Sequence, residues 1–254
     1  MLSKNKIKYI RSLELKKNRR AEGVFVAEGP KVVGDLLDHG LVPVLVAATS
    51  QWQPVGKRLP EDTELYEVDE ETLRKVSFLQ HPQQVIAVFR QPSASLSAAD
   101  VEHRLCLALD GVQDPGNLGT IIRVADWFGI DTIVCSPDCA DQYNPKVVQA
   151  TMGSIARVRL CYTDLSAFID RLPDGYPVYG TLLDGENIYA QQLTHHGMIV
   201  MGNEGNGISE DIRKRVNRRL YIPCYQQETT CAESLNVAIA TAVVCAEFRK
   251  QTII

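Results

Sequence analysis

The 254-residue chain is short of the features that mark several protein classes. Its seven cysteines include no C-x-x-C pair, so neither a disulfide scaffold nor a zinc ribbon is expected, and they read as reduced, buried small hydrophobes. Its five histidines contain no pair four residues apart, and no metal is expected. No apolar run approaches the ~20 residues of a membrane span; the stretch 237–246 has Thr241 in its interior. The opening MLSKNKIKYIRS lacks the apolar core of a secretory signal. These absences lead to the expectation of a soluble cytoplasmic protein without membrane contact. G-x-G-x-x-G spacing and a P-loop Gly-Lys-Ser/Thr are missing too, which weighs against a nucleotide-binding oxidoreductase and against phosphate cradling of the usual kinds.

What is present is globular. Hydrophobic residues make up 45% and charged residues 23%, enough apolar side chain for one or two compact cores. The net charge of −4 is unevenly spread, because residues 1–22 hold eight Lys/Arg against two Glu. A basic arm on an acidic body suits a local contact with a polyanion, and equally a solvated basic helix.

Residues 3–20 read as an amphipathic helix capped by Ser3, followed by a strand at 23–29, a helix at 30–39 closed by Gly40, and a strand at 41–48, a βαβ start. A helix at 69–77 and a strand at 84–89 complete a first unit. The Ser-rich stretch QPSASLSAA is the natural boundary, which sets domains of 1–90 and 102–254 with a linker at 91–101. Beyond it, strands at 104–111, 131–136, 158–163, 177–183, 198–202 and 220–223 alternate with helices, the last at 234–250, and a mostly parallel sheet covered on both faces follows.

Three stretches gather chemistry. In DGVQDPGNLGTIIRVADWFGI (110–130), a buried strand runs through a polar turn into a helix, with Asn117 and Arg123 six positions apart and Gly119 between them to admit a substrate. In MIVMGNEGNGIS (198–209), an apolar strand breaks into Gly202, Gly205 and Gly207 around Glu204, where bare backbone can meet a ligand's rings. The basic residues 213–219 that follow suit either phosphates or a solvated face. In CAESLNVAIATAVVCAEF (231–248), Ser234 and Asn236 open a helix apolar nearly all round, which calls for burial on more than one side and hence a dimer; Ser234 is also a plausible cap.

In this order, NLGTIIR, MGNEGNGIS and IPCYQQETTCAESLNVAIA resemble the three motifs of the SpoU-type (TrmH-like) RNA 2′-O-ribose methyltransferases of the SPOUT, or α/β-knot, superfamily. The likeness spans about 104–250, and FVAEGPKVVGDLL resembles the small RNA-binding domain that precedes the catalytic domain in ribosomal-RNA members. The resemblance implies an α/β fold: a C-terminal deep trefoil knot behind a small α/β RNA-binding domain. It also implies S-adenosyl-L-methionine as cofactor and a homodimer through the C-terminal domain. The implied substrate is structured RNA, 23S rRNA before tRNA; a non-catalytic RNA-binding protein on the same fold is the alternative. Asn117, Arg123, Glu204, Ser234 and Asn236 fall on the family's functional positions, and Thr181, Leu182, Gly202, Ile222 and Leu235 on its cofactor positions. The stretch CYQQETTCAE is longer and more polar than in many members.

Overall fold

A computed structural model describes residues 2–54, 59–93, 96–226 and 234–250. The elements run α1 (Lys4–Ser12), α2 (Lys16–Glu22), β1 (Val24–Glu28), α3 (Pro30–Asp38), β2 (Pro43–Ala48), β3 (Glu64–Glu67), α4 (Glu70–Val76) and β4 (Val85–Arg90). Then come β5 (Leu105–Asp110), α5 (Pro115–Trp127), β6 (Thr132–Cys135), α6 (Pro145–Ala150), β7 (Arg159–Tyr162), α7 (Leu165–Ile169), β8 (Val178–Asn187), β9 (Gly197–Gly202), α8 (Glu210–Arg213), β10 (Arg218–Tyr221) and α9 (Val237–Lys250). They form two compact units: residues 1–93 with 141–157, and residues 94–140 with 158–254. By sequence 141–157 falls in the expected second domain, yet it packs with the first unit.

In the first unit the sheet order is β1-β4-β2-β3, with β4 antiparallel to both β1 and β2. The expected βαβ start is thus not a parallel pair, because β4 inserts between its two strands. Period-two alternation sorts the side chains: Val24, Val26, Ile86 and Val88 join Ile10 and Leu13 on one face, while Phe25, Ala27, Ala87 and Phe89 join Val33, Leu36 and α6's Val148 on the other. Phe25 also stacks on Tyr143, ring centroids 4.8 Å apart.

The expected single helix 3–20 is two. Ser3 caps α1 through Lys6 N, as its sequence position indicated. The helix stops where Leu13 turns inward to complete burial, and its orphaned carbonyls find side chains: Asn18 Nδ2 donates to Ser12 O at 2.8 Å, and Arg19 Nη1 donates to Leu13 O at 2.8 Å and Glu14 O at 2.7 Å. Arg19 is 2% exposed and its Nη2 meets the Asp141 carboxylate. It is a structural residue, so it leaves the set of basic-arm cations available to a polyanion; Lys16, Lys17 and Arg20 remain exposed. Replacing Asp141 by alanine strands a buried guanidinium and is expected to cost about 3 kcal/mol, read as a lowered urea midpoint. A loss under about 0.5 kcal/mol would show that Arg19 does not depend on this partner.

In the second unit all strand pairings are parallel, in the order β10-β8-β9-β5-β6-β7. Central β5 is apolar and buried from Leu105 to Leu109, as a strand covered on both faces must be. One face packs on α7 and α8 through Phe168, Ile169 and Ile212, and on Val216 just beyond α8. On the other, α9 lies against α5 and β9, with Phe248 edge-on to Tyr179 at 4.9 Å. Among the described residues no helix is long and apolar enough to cross a membrane. Cys106, Cys135, Cys139 and Cys245 are buried as expected; Cys224 is exposed, against expectation, because it follows β10 on an open loop, and Cys231 lies outside the described residues.

Candidate active site

The carboxyl ends of β5 and β9 carry the site, the edge at which open parallel sheets present groups to ligands. Beyond β9 the chain reverses in a turn closed by mutual 2.9 Å bonds between Asn203 and Gly207. A Cβ on Gly202 would stand 2.3 Å from the Gly207 carbonyl carbon and the Ile208 nitrogen, so only glycine allows this reversal. Asn203 holds the turn, its Oδ1 accepting from Gly205 N and Asn206 N and its Nδ2 donating to Gly111 O at 2.7 Å. Asp110 Oδ2 in turn accepts from Ser209 N at 2.7 Å. Sequence reasoning had not singled out Asn203 or Asp110; an Asn inside a glycine-rich reversal is the signal for the first, since its side chain mimics a backbone turn.

The turn delivers Glu204 to the start of α5, where Asp114 caps the helix through Asn117 N at 2.8 Å. Asn117 Nδ2 donates to Glu204 Oε1 at 2.9 Å, and Asn117 Oδ1 accepts from Asn236 Nδ2 at 2.9 Å. Asn236 Oδ1 accepts from Ala238 N and Ile239 N and so caps α9. An ionised carboxylate only accepts and a backbone N–H only donates, so the two ends fix which way both amides face. Glu204, Asn117 and Asn236 therefore form a one-directional relay tying the glycine turn to the starts of two helices.

The structure does not bring the other two predicted catalytic residues to this relay. Arg123 lies six residues beyond Asn117, about 600° around α5, and so faces another way. It is exposed, with no ion pair among the described residues, on a stripe with Thr120 and Trp127. Ser234 is exposed; Asn236, not Ser234, caps α9. Gly119 is buried inside α5 and opens no path for a substrate.

Thr181, Leu182 and Gly202, three of the expected cofactor residues, lie on the strands where the sheet splits. Pairing of β8 with β9 ends at Gly180 and Val200, although β9 runs on to Gly202 beside Asp110. The β10 partners of β8 jump from Gly180 to Glu186 between Arg219 and Leu220, so residues 181–185 leave the ladder. Thr181 Oγ1 donates to the Val200 carbonyl at 3.2 Å beside this split, Leu182 is buried, and Leu183 is 75% exposed. Gly202 ends β9 beside Asp110, Ile222 follows β10, and Leu235 is half-exposed before α9. Unpaired strand backbone flanked by apolar side chains fits an adenine ring, which needs both.

Behind Gly111, Ser136 Oγ accepts from Gly111 N at 2.9 Å. Hydrogen bonding with Cys135 draws the Cys139 thiol down to about 7, helped by Ser136 and the backbone of Val112 and Gly111 and opposed by burial. Downstream, Arg213 and Arg219 pair with Asp184 and Arg215 with Asp170 and Asp211, which leaves Lys214 and Arg218 as the members of that basic cluster open to phosphate.

Comparison with known proteins gives the family and the fold. A model of the SpoU rRNA Methylase family matches residues 104–246, and one of an MRM3-like substrate binding domain matches residues 4–87. The chain is 33% identical over 251 residues to the Bacillus subtilis 23S rRNA (guanosine(2553)-2′-O)-methyltransferase RlmP, covering 96% of each. Its fold superposes with a TM-score of 0.88 on a putative RNA methyltransferase of the TrmH family from Porphyromonas gingivalis, 40% identical with 99% of each chain covered. The same score relates it to an AdoMet-bound rRNA methyltransferase from Sinorhizobium meliloti, 30% identical, covering 100% of this chain and 97% of that one.

Proposed function

The chain belongs to the SpoU rRNA methylase family, and on that premise we propose that the Glu204–Asn117–Asn236 relay is the frame on which it transfers a methyl group. It is an S-adenosylmethionine-dependent RNA methyltransferase acting on a ribose 2′-hydroxyl of ribosomal RNA. When bound, the cofactor would supply the methyl on a sulfonium, which becomes a neutral thioether as the hydroxyl oxygen takes the methyl in line and releases its proton to water. The chain's own residues have to align that oxygen, and alignment alone is worth several powers of ten. The observation that carries the reading is the relay's fixed polarity: it locks the glycine turn, and with it the rim of the cofactor cleft, to the first turns of α5 and α9.

Thr181, Leu182, Gly202, Ile222 and Leu235 would hold the cofactor, as the unpaired strand ends and apolar side chains suit. Arg123 and Ser234 act on the RNA side. A guanidinium has no acceptor and stays protonated, so Arg123 clamps a phosphate beside the target ribose rather than removing its proton. The substrate is 23S rRNA, supported by the relatives' activity and by the basic arm, whose exposed Lys16, Lys17 and Arg20 suit phosphates remote from the reacting ribose. Labelled S-adenosylmethionine and undermodified total RNA test the reading: label should map, by resistance to alkaline cleavage, to ribose 2′-oxygens of 23S rRNA. Label on a base would defeat the reading.

The trefoil knot is supported by the path of the chain. It leaves the sheet at edge strand β10, beyond β8, and returns to pack α9 on α5, β9 and the turn Ile188–Ala190 between β8 and β9. The first unit, residues 1–93 with 141–157, holds the RNA, and the second, residues 94–140 with 158–254, catalyses. A cytoplasmic location accords with ribosomal RNA as substrate.

A homodimer through the second unit is supported by an exposed apolar stripe. Ile239 (54% exposed), Ala242, Val243 and Ala246 share one face of α9, which packs on α5, where Trp127 is 85% exposed. Light scattering should give a mass near twice 28.2 kDa, reduced to a single chain by Ile239→Glu. A wild-type monomer would remove the dimer from the account.

A further inference from the structure

The first unit carries a cleft of about 310 Å³ that the methyl-transfer site does not use. One wall is a stripe of α3: Pro30, Gly34 and Leu37 stand at helical spacing on a face beside buried Val32, Val33 and Leu36. The other wall is the loop after β2, with Gln51, nearly buried Trp52 and Gln53, and Gln84 closes the end.

Two residues here are poor choices for stability. Gly34 sits inside a helix, where glycine is less favourable than alanine, yet a Cβ on it would meet no atom within 4 Å. Packing within the protein does not demand this glycine; the space it leaves belongs to the cleft. Gln84 has a left-handed backbone, φ 53°, unusual for a non-glycine residue and typical of ligand sites, and its carbonyl is held by Thr49 N at 2.8 Å.

The chemistry of the lining selects the occupant. Among the described residues the lining contains no lysine or arginine, and Asp38 on its rim repels anions, so this lining disfavours a phosphate. Three glutamine amides that both donate and accept, beside an indole and two proline rings, match the edge and face of a heterocyclic base. The size, at the low end of the about 300–1,000 Å³ of small-molecule pockets, suits one base with part of its sugar.

We infer that this cleft receives a single unstacked nucleobase of the RNA substrate and anchors the strand at a point separate from the methylated ribose. The inference rests on the reading of the chain as an RNA methyltransferase, and it makes the first unit a reader of unpaired bases as well as a basic surface.

The test uses the full-length protein and a fluorescently labelled uridine heptamer whose central nucleotide is adenosine, guanosine, cytidine, uridine or abasic. Anisotropy should show the wild type preferring a central base over the abasic site by about tenfold, the scale of one stacked base. Gly34→Ala should raise the unfolding midpoint by about 2–4 °C while weakening that preference, and Gly34→Leu should erase it. Gln84→Gly, which keeps the left-handed backbone and removes the amide, should reduce it. A preference unchanged in all three variants overturns the cleft's role while the enzyme's reading stands. A wild type that retains neither the heptamers nor a 23S rRNA transcript defeats both. Adenosine monophosphate binding as tightly as the heptamer would make the cleft a free-nucleotide site and overturn the RNA assignment.

Discussion

Asn117→Ala should lower kcat for methyl transfer by at least about 100-fold, with S-adenosylmethionine affinity changed far less, because a displacement of about 1 Å at an aligned centre costs that much. Asn117 is the only bridge between Glu204 and Asn236 among the described residues, so its loss frees the turn from both helices at once. Two further substitutions separate the relay from simple structural support. Asn236→Asp keeps an oxygen to cap α9 and removes the amide donor to Asn117; stability should hold while activity falls. Asn236→Ala loses both and should also cost about 1 kcal/mol of stability. Asn117→Asp sets a second carboxylate against Glu204. Like charges at that distance raise the proton affinity of the pair, so the variant is impaired at high pH and regains activity as pH falls through the raised value. An Asn117→Ala enzyme with more than a third of the wild-type kcat would show that the relay is scaffolding only.

Arg123→Ala should cost about a further power of ten, on the order of 1,000-fold in kcat, the upper range for removing one preorganised donor. Its exposure and lack of a partner among the described residues predict an unchanged unfolding midpoint, within about 0.5 kcal/mol. Arg123→Lys retains the charge but not the planar fork, so a bidentate phosphate clamp predicts little rescue. Full activity in Arg123→Ala would take the residue out of the mechanism without touching the relay. Full activity in Arg123→Lys would reduce its role to a point charge.

The second unit was the more legible half of the sequence. Its strands are buried on both faces, and continuous apolar runs such as LCLAL announce that directly. The first unit hid more. The strand at Glu64–Glu67 is four residues long, mostly exposed and flanked by acids, so neither alternation nor β-branching marks it. The break after Ser12 depends on Asn18 and Arg19 reaching back to carbonyls, which a periodicity test does not sense. Within the site, motif order placed Glu204, Asn117 and Asn236, but a linear pattern carries no hydrogen-bond direction. It therefore missed that Asn203 holds the turn and that Asn236 is the cap. A count of eight basic residues in 1–22 does not set Arg19 apart, because its burial depends on a carboxylate 122 positions away.

Residues 141–157 give the molecule a connectivity that an excised fragment cannot reproduce. The chain passes between its two units at residues 93–94, 140–141 and 157–158, three times and not once. A protease that cuts in the serine-rich stretch at 91–99 therefore yields two fragments that the packing of 141–157 within the first unit holds together, and electrophoresis under denaturing conditions is needed to see the nick. A gene fragment ending near residue 93 encodes a sheet whose Phe25 face has lost Tyr143, Val148 and Ile155, and whose Arg19 has lost its counter-charge. Such a fragment should aggregate, and grafting the first unit onto another protein requires the inserted helix to travel with it.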